Sequence, residues 1–210
     1  MNPPAIDPKR LLPLLVLTAM VGPSALNMPL PAVPGLAVEF GSDVATVQLV
    51  ITLFLFGFAT SQLILGPLSD RFGRRPVLIA GLTLAVVTGL VAAYASSIGW
   101  LLLARALQSL GASSGVVLGR AIIRDLYERD RAASMMGWVT MAMAAAPMVS
   151  PAIGGLLTET VGWRWIFIFS SVLAGLALTG AFLWLPETRP QNMSVSARSI
   201  AHDGWALVRD

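Results

Sequence analysis

Six long apolar runs constrain this chain more than any other feature. A helix that crosses the hydrocarbon core of a bilayer needs about 20 mostly apolar residues. Residues 11–30, 45–65, 76–95, 100–119, 132–157 and 163–185 all meet that length. Only 12% of the 210 residues are charged, about half the share of a soluble domain. The runs therefore read as membrane spans rather than as the core of one soluble domain. The first has a basic flank, Lys9 and Arg10. It is too long for a signal-peptide core, lacks a small-residue cleavage site and is followed by more spans. It reads as a retained helix.

Six spans place both termini on one side of the membrane. On that side lie Lys9, Arg10, Arg71, Arg74, Arg75, Arg120, Arg124, Arg129, Arg131, Arg189, Arg198 and Arg209. The opposite side holds Arg164, and Arg105 lies inside a span. This asymmetry predicts cytoplasmic termini. It also accounts for the basic balance of the chain, net charge +3, by topology rather than by a nucleic-acid surface. The outer loops are short, the longest being 31–44 with Glu39 and Asp43. Residues 1–10 read as a cytoplasmic N-terminus, 11–185 as the bundle and 186–210 as a polar cytoplasmic segment. Residues 194–210 carry a weak amphipathic pattern suited to a membrane surface.

No carboxylate lies inside the six runs, but one cation does. Arg105 sits about 7–8 Å below the outer end of its span, with Gln108 and Ser109 one turn further along the same face. An intramembrane charge usually faces a bundle interior or a wet cavity, so this stripe predicts a polar cavity wall. Snorkelling of Arg105 to the interface is the simpler alternative. Asn27, near the outer end of the first span, has the depth to meet Arg105 or to be solvated. Gly111, Gly115 and Gly119 form an adjacent stripe for close helix packing. In the fifth span Pro147 and Pro151 remove backbone donors and bend the helix, and Gly154 and Gly155 permit close approach. Phe54, Phe56 and Phe58 read as packing.

Residues 66–77, GPLSDRFGRRPV, concentrate charge in a short turn between two spans. Gly73 suits a left-handed backbone. Pro76 fits the first turn of the next helix. Asp70 is placed to pair with the arginines or with a helix N-terminus.

Together these segments resemble the major facilitator superfamily. GPLSDRFGRRPV fits the loop pattern G-x-L-x-D-R-x-G-R-[KR] between spans two and three. LLLARALQSLGASSG is similar to the fourth-span pattern with a buried arginine, and SPAIGG to the fifth-span antiporter pattern. LPETRP and the run IIRDLYERDRAASMMGWVTMAMAAAPMVSPAIGG are most similar to the bicyclomycin and chloramphenicol resistance (Bcr/CflA-type) branch. The resemblance implies an all-α membrane fold, the N-terminal half of a transporter, built from two three-helix inverted repeats. It implies alternating-access export of drug-like molecules exchanged for protons, with no cofactor. It assigns Gly66, Asp70, Arg71, Gly73, Arg74 and Arg75 to a cytoplasmic gating loop. It places Asn27, Arg105 and Gln108 on the substrate or proton path, and Pro147, Pro151, Gly154 and Gly155 in the antiporter helix.

The chain departs from the family pattern at three places. Ser109 and Ser150 stand where glycine is usual, a small-for-small change. Asn27 stands where many relatives have an acidic residue, and Asn does not titrate. Proton coupling would then use a carboxylate elsewhere or a proton on the substrate, and the site would favour neutral or anionic substrates. Six spans are half the family's usual twelve. The expected partners are therefore the bilayer, a small drug-like molecule, protons, and a missing C-terminal half or a second copy; a half-size or inert fragment is the alternative. A membrane enzyme or metal site is not expected. There is no cysteine and one histidine, and the acidic residues Asp125, Glu128 and Asp130 alternate with arginines as in a solvated loop.

Overall fold

The structure, a computed structural model, describes residues 8–189. The amphipathic segment expected over 194–210, and most of the polar segment containing it, lie outside the described residues. Six helical segments are long and apolar enough to cross a membrane. α1 (Pro8–Asn27), a 3-10 turn (Leu30–Ala32) and α2 (Val33–Glu39) form the first. α3 (Val44–Phe72) is the second and α4 (Arg74–Ala93) the third. α5 (Ile98–Ala112) and α6 (Ser114–Leu126) make the fourth, α7 (Arg129–Thr160) the fifth and α8 (Arg164–Trp184) the sixth. Among the described residues there is no strand. In hydrocarbon a helix satisfies every backbone polar group within one segment.

Apart from α4 and α5, the main neighbours in space are not neighbours in sequence. α4 packs mainly against α5 and α8, α3 against α5, and α1 against α7, α8 and α6. Two apolar cores are stacked along the bundle. One, containing Leu11, Leu15, Leu78 and Leu185, fills the end that carries most of the arginines, hereafter the basic end. The other, containing Leu36, Val47, Leu101 and Ile166, fills the opposite end.

Three segments differ from expectation. Residues 31–44 are largely helical, through the 3-10 turn and α2, because the apolar Leu36 and Val33 are buried there. GPLSDRF is not a loop: α3 continues through Pro67 to Phe72. The whole chain reversal falls on Gly73, at φ 102° and ψ 152°, a conformation that glycine adopts without a Cβ penalty. The fourth span extends to Leu126 and is interrupted at Ser113. There the hydroxyls of Ser109, Ser113 and Ser114 each donate to the carbonyl three residues earlier, local bonds that compete with the helical ladder.

Candidate functional site

The ionic groups of the basic end converge on Arg74. Its backbone opens α4 directly after the Gly73 reversal, which turns the side chain back under α3. Arg74 is 7% exposed. Nη1 lies 2.6 Å from the Asp70 carboxylate and donates to Ser69 Oγ at 2.5 Å. Nε donates to Asp125 Oδ2 at 3.0 Å, on the last turn of α6. One guanidinium thus ties α3, α4 and α6 together, with a carboxylate on either side. Burial removes the water that screens a surface pair, so breaking one partner costs more here than at an exposed site.

A third carboxylate fixes the same turn from the backbone side. Glu187, three residues beyond α8, accepts the N–H of Arg74 at 2.8 Å and that of Arg75 at 3.3 Å. It also accepts the N–H groups of Thr188 and Arg189, at 3.1 and 3.0 Å. A carboxylate at a helix N-terminus satisfies orphan donors and complements the dipole. A Cβ on Gly73 would meet Glu187 Oε2 at 2.5 Å, so the glycine is needed for space as well as for backbone angle. Arg75 donates from Nη2 to the Phe182 carbonyl at 2.9 Å, on α8. The cluster is a joint between four chain segments.

Arg105 lies between the two cores and is 0% exposed. It neither snorkels nor lines an open cavity. Nε donates to the Val50 carbonyl of α3 at 3.2 Å, and Nη1 to Gln108 Oε1 at 2.7 Å. The guanidinium lies 4.1 Å from the centroid of the Phe54 ring and 5.7 Å from that of Phe167 on α8. Aromatic faces and a carbonyl replace the missing carboxylate. Phe54 is therefore more than packing, whereas Phe56 is exposed. The idea that a six-helix unit standing alone would expose Arg105 and Gln108 is also corrected: both are buried within it.

Asn27 does not meet Arg105. Its Nδ2 donates to the Pro23 carbonyl of its own helix at 2.7 Å, while Arg105 points toward α3 and α8. The three-glycine stripe serves different partners, with Gly111 before the interruption at Ser113 and Gly115 and Gly119 after it. A Cβ on Gly111 would strike the α4 backbone at Gly81 and Ala85, and one on Gly115 the Thr18 carbonyl of α1. One on Gly119 meets nothing within 4 Å, so Gly119 is not a close-packing position. α7 runs unbroken through Pro147 and Pro151. Gly154 abuts the Met28 carbonyl at the end of the first span, and Gly155 lies at ordinary contact distance from Pro31. Gly66 lies inside α3, where a Cβ would meet nothing within 4 Å.

Sequence reasoning missed Asp125, taken as part of a solvated loop, and Glu187, seen only as a letter in LPETRP. Their partners lie 51 and 113 residues away. One available signal was that a carboxylate directly after a span matches the orphan donors of an adjoining helix start. The outer end has its own link: Arg164 Nη1 lies 3.2 Å from Glu39 Oε1, joining α2 to α8 across half-exposed side chains.

Comparison with known proteins places this geometry. The profile of the Major Facilitator Superfamily matches residues 15–209. Multidrug resistance protein D of Escherichia coli strain K12 is 37% identical over 180 residues, covering 86% of this chain and 46% of that protein. A chloramphenicol resistance protein of Pseudomonas aeruginosa is 38% identical over 170 residues, covering 80% and 41%. A bicyclomycin resistance protein homolog of Haemophilus influenzae is 32% identical over 184 residues, covering 88% and 46%. The chain spans about half the length of these relatives. In fold it is similar to the crystal structure of the human organic anion transporter MFSD10, with a TM-score of 0.69 at 21% identity, covering 88% of this chain and 49% of that one.

Proposed function

Since the chain belongs to the Major Facilitator Superfamily, we propose that it is the N-terminal half of a membrane exporter of small drug-like molecules. It works by alternating access, probing the two sides of a bacterial inner membrane with both termini in the cytoplasm. Residues 186–210 begin the central cytoplasmic loop. Relatives that carry drug-resistance names support the substrate class. The twelve basic residues that the sequence puts on one side of the membrane support the orientation.

The observation that carries this reading is the Arg74 joint. Alternating access needs each half to move as one body around a central site. Asp70, Arg74, Asp125 and Glu187 hold α3, α4, α6 and the segment after α8 in one arrangement at the basic end. The same polar groups are suited to contact the second half in one state and to release it in the other. Arg105, clamped between Phe54 and Phe167, sets the spacing of α3, α5 and α8 and acts on the substrate path through them.

Position 27 offers no titrating group, so proton exchange uses a carboxylate outside these 210 residues or a proton carried by the substrate. A half without a membrane carboxylate favours neutral or anionic substrates. Drug accumulation in cells expressing the gene, with and without collapse of the proton gradient, tests export. Expression lowers accumulation, and collapse restores it. Accumulation unchanged by expression contradicts the reading. In the same assay Asn27→Asp shifts the pH optimum and admits cationic drugs; an unaltered profile removes position 27 from the coupling path.

A further inference from the structure

An apolar cavity of about 470 Å³ opens on the flank of the bundle, between α3, α4 and α5. Its walls include Ile64, Leu68 and Phe72 of α3, Ala80 and Leu84 of α4, and Leu110 of α5. Ile64 and Phe72 are 57% and 58% exposed, so the cavity faces the surroundings of the bundle rather than its core. It runs along the bundle axis. From Ser61 to Phe72, both in its wall, α3 rises roughly 16 Å. A volume of about 470 Å³ open to the centres of water molecules, spread over roughly 16 Å, leaves a slot roughly 9 Å across between wall surfaces once a water radius of about 1.4 Å is added on each side. A helix with its side chains is about 10–12 Å wide and does not enter such a slot. A single hydrocarbon chain does.

Charge begins where the slot ends. The Arg71 guanidinium lies 5.2 Å from the centroid of the Phe72 ring, itself part of the wall. Arg71 is exposed. Arg189 donates from Nη1 to the Arg71 carbonyl at 2.8 Å, which brings a second guanidinium to the mouth.

We propose that this cavity binds an anionic phospholipid, with one acyl chain in the slot and the phosphate on Arg71 beside Arg189. The tail gains no hydrophobic energy on leaving the bilayer, because lipid is as apolar as the wall. Fit of the chain gives residence, and the arginines give headgroup selectivity. The orientation proposed above puts the mouth at the inner leaflet, where anionic lipids meet basic groups at the ends of spans. The site rests on that orientation and not on the transport activity.

The test is lipid titration of the purified, delipidated full-length protein by native mass spectrometry, without substrate. Palmitoyl-oleoyl phosphatidylglycerol, phosphatidylethanolamine and phosphatidylcholine share the same chains and differ only in the headgroup. Phosphatidylglycerol binds tightest. Arg71→Ala weakens it about fivefold, the effect of one arginine at a membrane surface, and weakens phosphatidylcholine less, because the choline cation already offsets its phosphate. Ala80→Phe fills the slot, weakens all three and removes the preference. Melting curves of both variants exclude unfolding, and Arg71→Lys, which keeps the charge, retains most of the preference. Equal binding of phosphatidylglycerol and phosphatidylcholine overturns the proposal, as does a preference that survives Arg71→Ala. Full lipid binding in Ala80→Phe overturns it too. Loss of transport in that variant, with no lipid bound by the parent protein, assigns the slot to another segment of the transporter instead. Lipid binding without export leaves this site standing and refutes the exporter reading.

Discussion

Gly73 shows how much depends on one residue without a side chain. Its backbone is left-handed, and the space where a Cβ would stand belongs to the Glu187 carboxylate. Gly73→Ala is therefore penalised twice. We expect a loss of about 1–3 kcal/mol, the usual size of a strained backbone position, read as a lower melting temperature in detergent. Glu187→Gln leaves Gly73 its space but puts an amide donor where backbone N–H groups converge, and costs roughly 0.5–1 kcal/mol as a lost cap. Arg105→Lys tests the buried clamp. A lysine lacks the flat fork that stacks on Phe54 and reaches both Val50 and Gln108. The expected loss is about 1–3 kcal/mol, from the Gln108 amide oxygen left without its donor and the second bond lost at the Val50 carbonyl. Gly73 was legible in the sequence because turn chemistry is local. Asp70 was legible because its partner lies four residues away, across the Gly73 turn. Asp125 and Glu187 were not, because only the folded bundle brings them to Arg74.

At the scale of elements, hydropathy located all six spans and misjudged several ends. α3 runs seven residues past the predicted boundary, because polar residues at an interface continue a helix when the next residue able to reverse the chain is Gly73. The break at Ser113 was hidden for the opposite reason: an apolar count does not register serines that bond back to their own helix. The break puts Gly111 on α5 and leaves Gly115 and Gly119 together on α6, where two substitutions of the same type still differ because only Gly115 faces α1 closely. Gly115→Ala presses a methyl group against the Thr18 carbonyl and costs about 1–3 kcal/mol by overpacking. Gly119→Ala meets open space and is expected to stabilise α6 by about 0.5–1 kcal/mol, through the lower entropy of its unfolded chain. Thermal melts of the two variants side by side check the contrast. Equal effects would mean that α1 does not approach the fourth span at Gly115 as the structure shows.

For the whole molecule, the expected polar cavity around Arg105 is the main correction. Polarity in a span was readable, but its direction was not, since facing Phe54 and Phe167 or facing water leaves the same letters in the sequence. With Arg105 internal, the gating role we propose falls to the joint at the basic end. The central claim is that Asp125 and Arg74 act as one unit in the transport cycle, which a double-mutant cycle isolates. Efflux is measured in the full-length transporter for Arg74→Gln, Asp125→Asn and both together, at equal membrane levels. Each single change is predicted to lower efflux about tenfold, equivalent to about 1.4 kcal/mol, and the double variant is predicted to be no slower than the worse single one. Single variants that export normally, or losses that simply multiply in the double variant, would contradict the account.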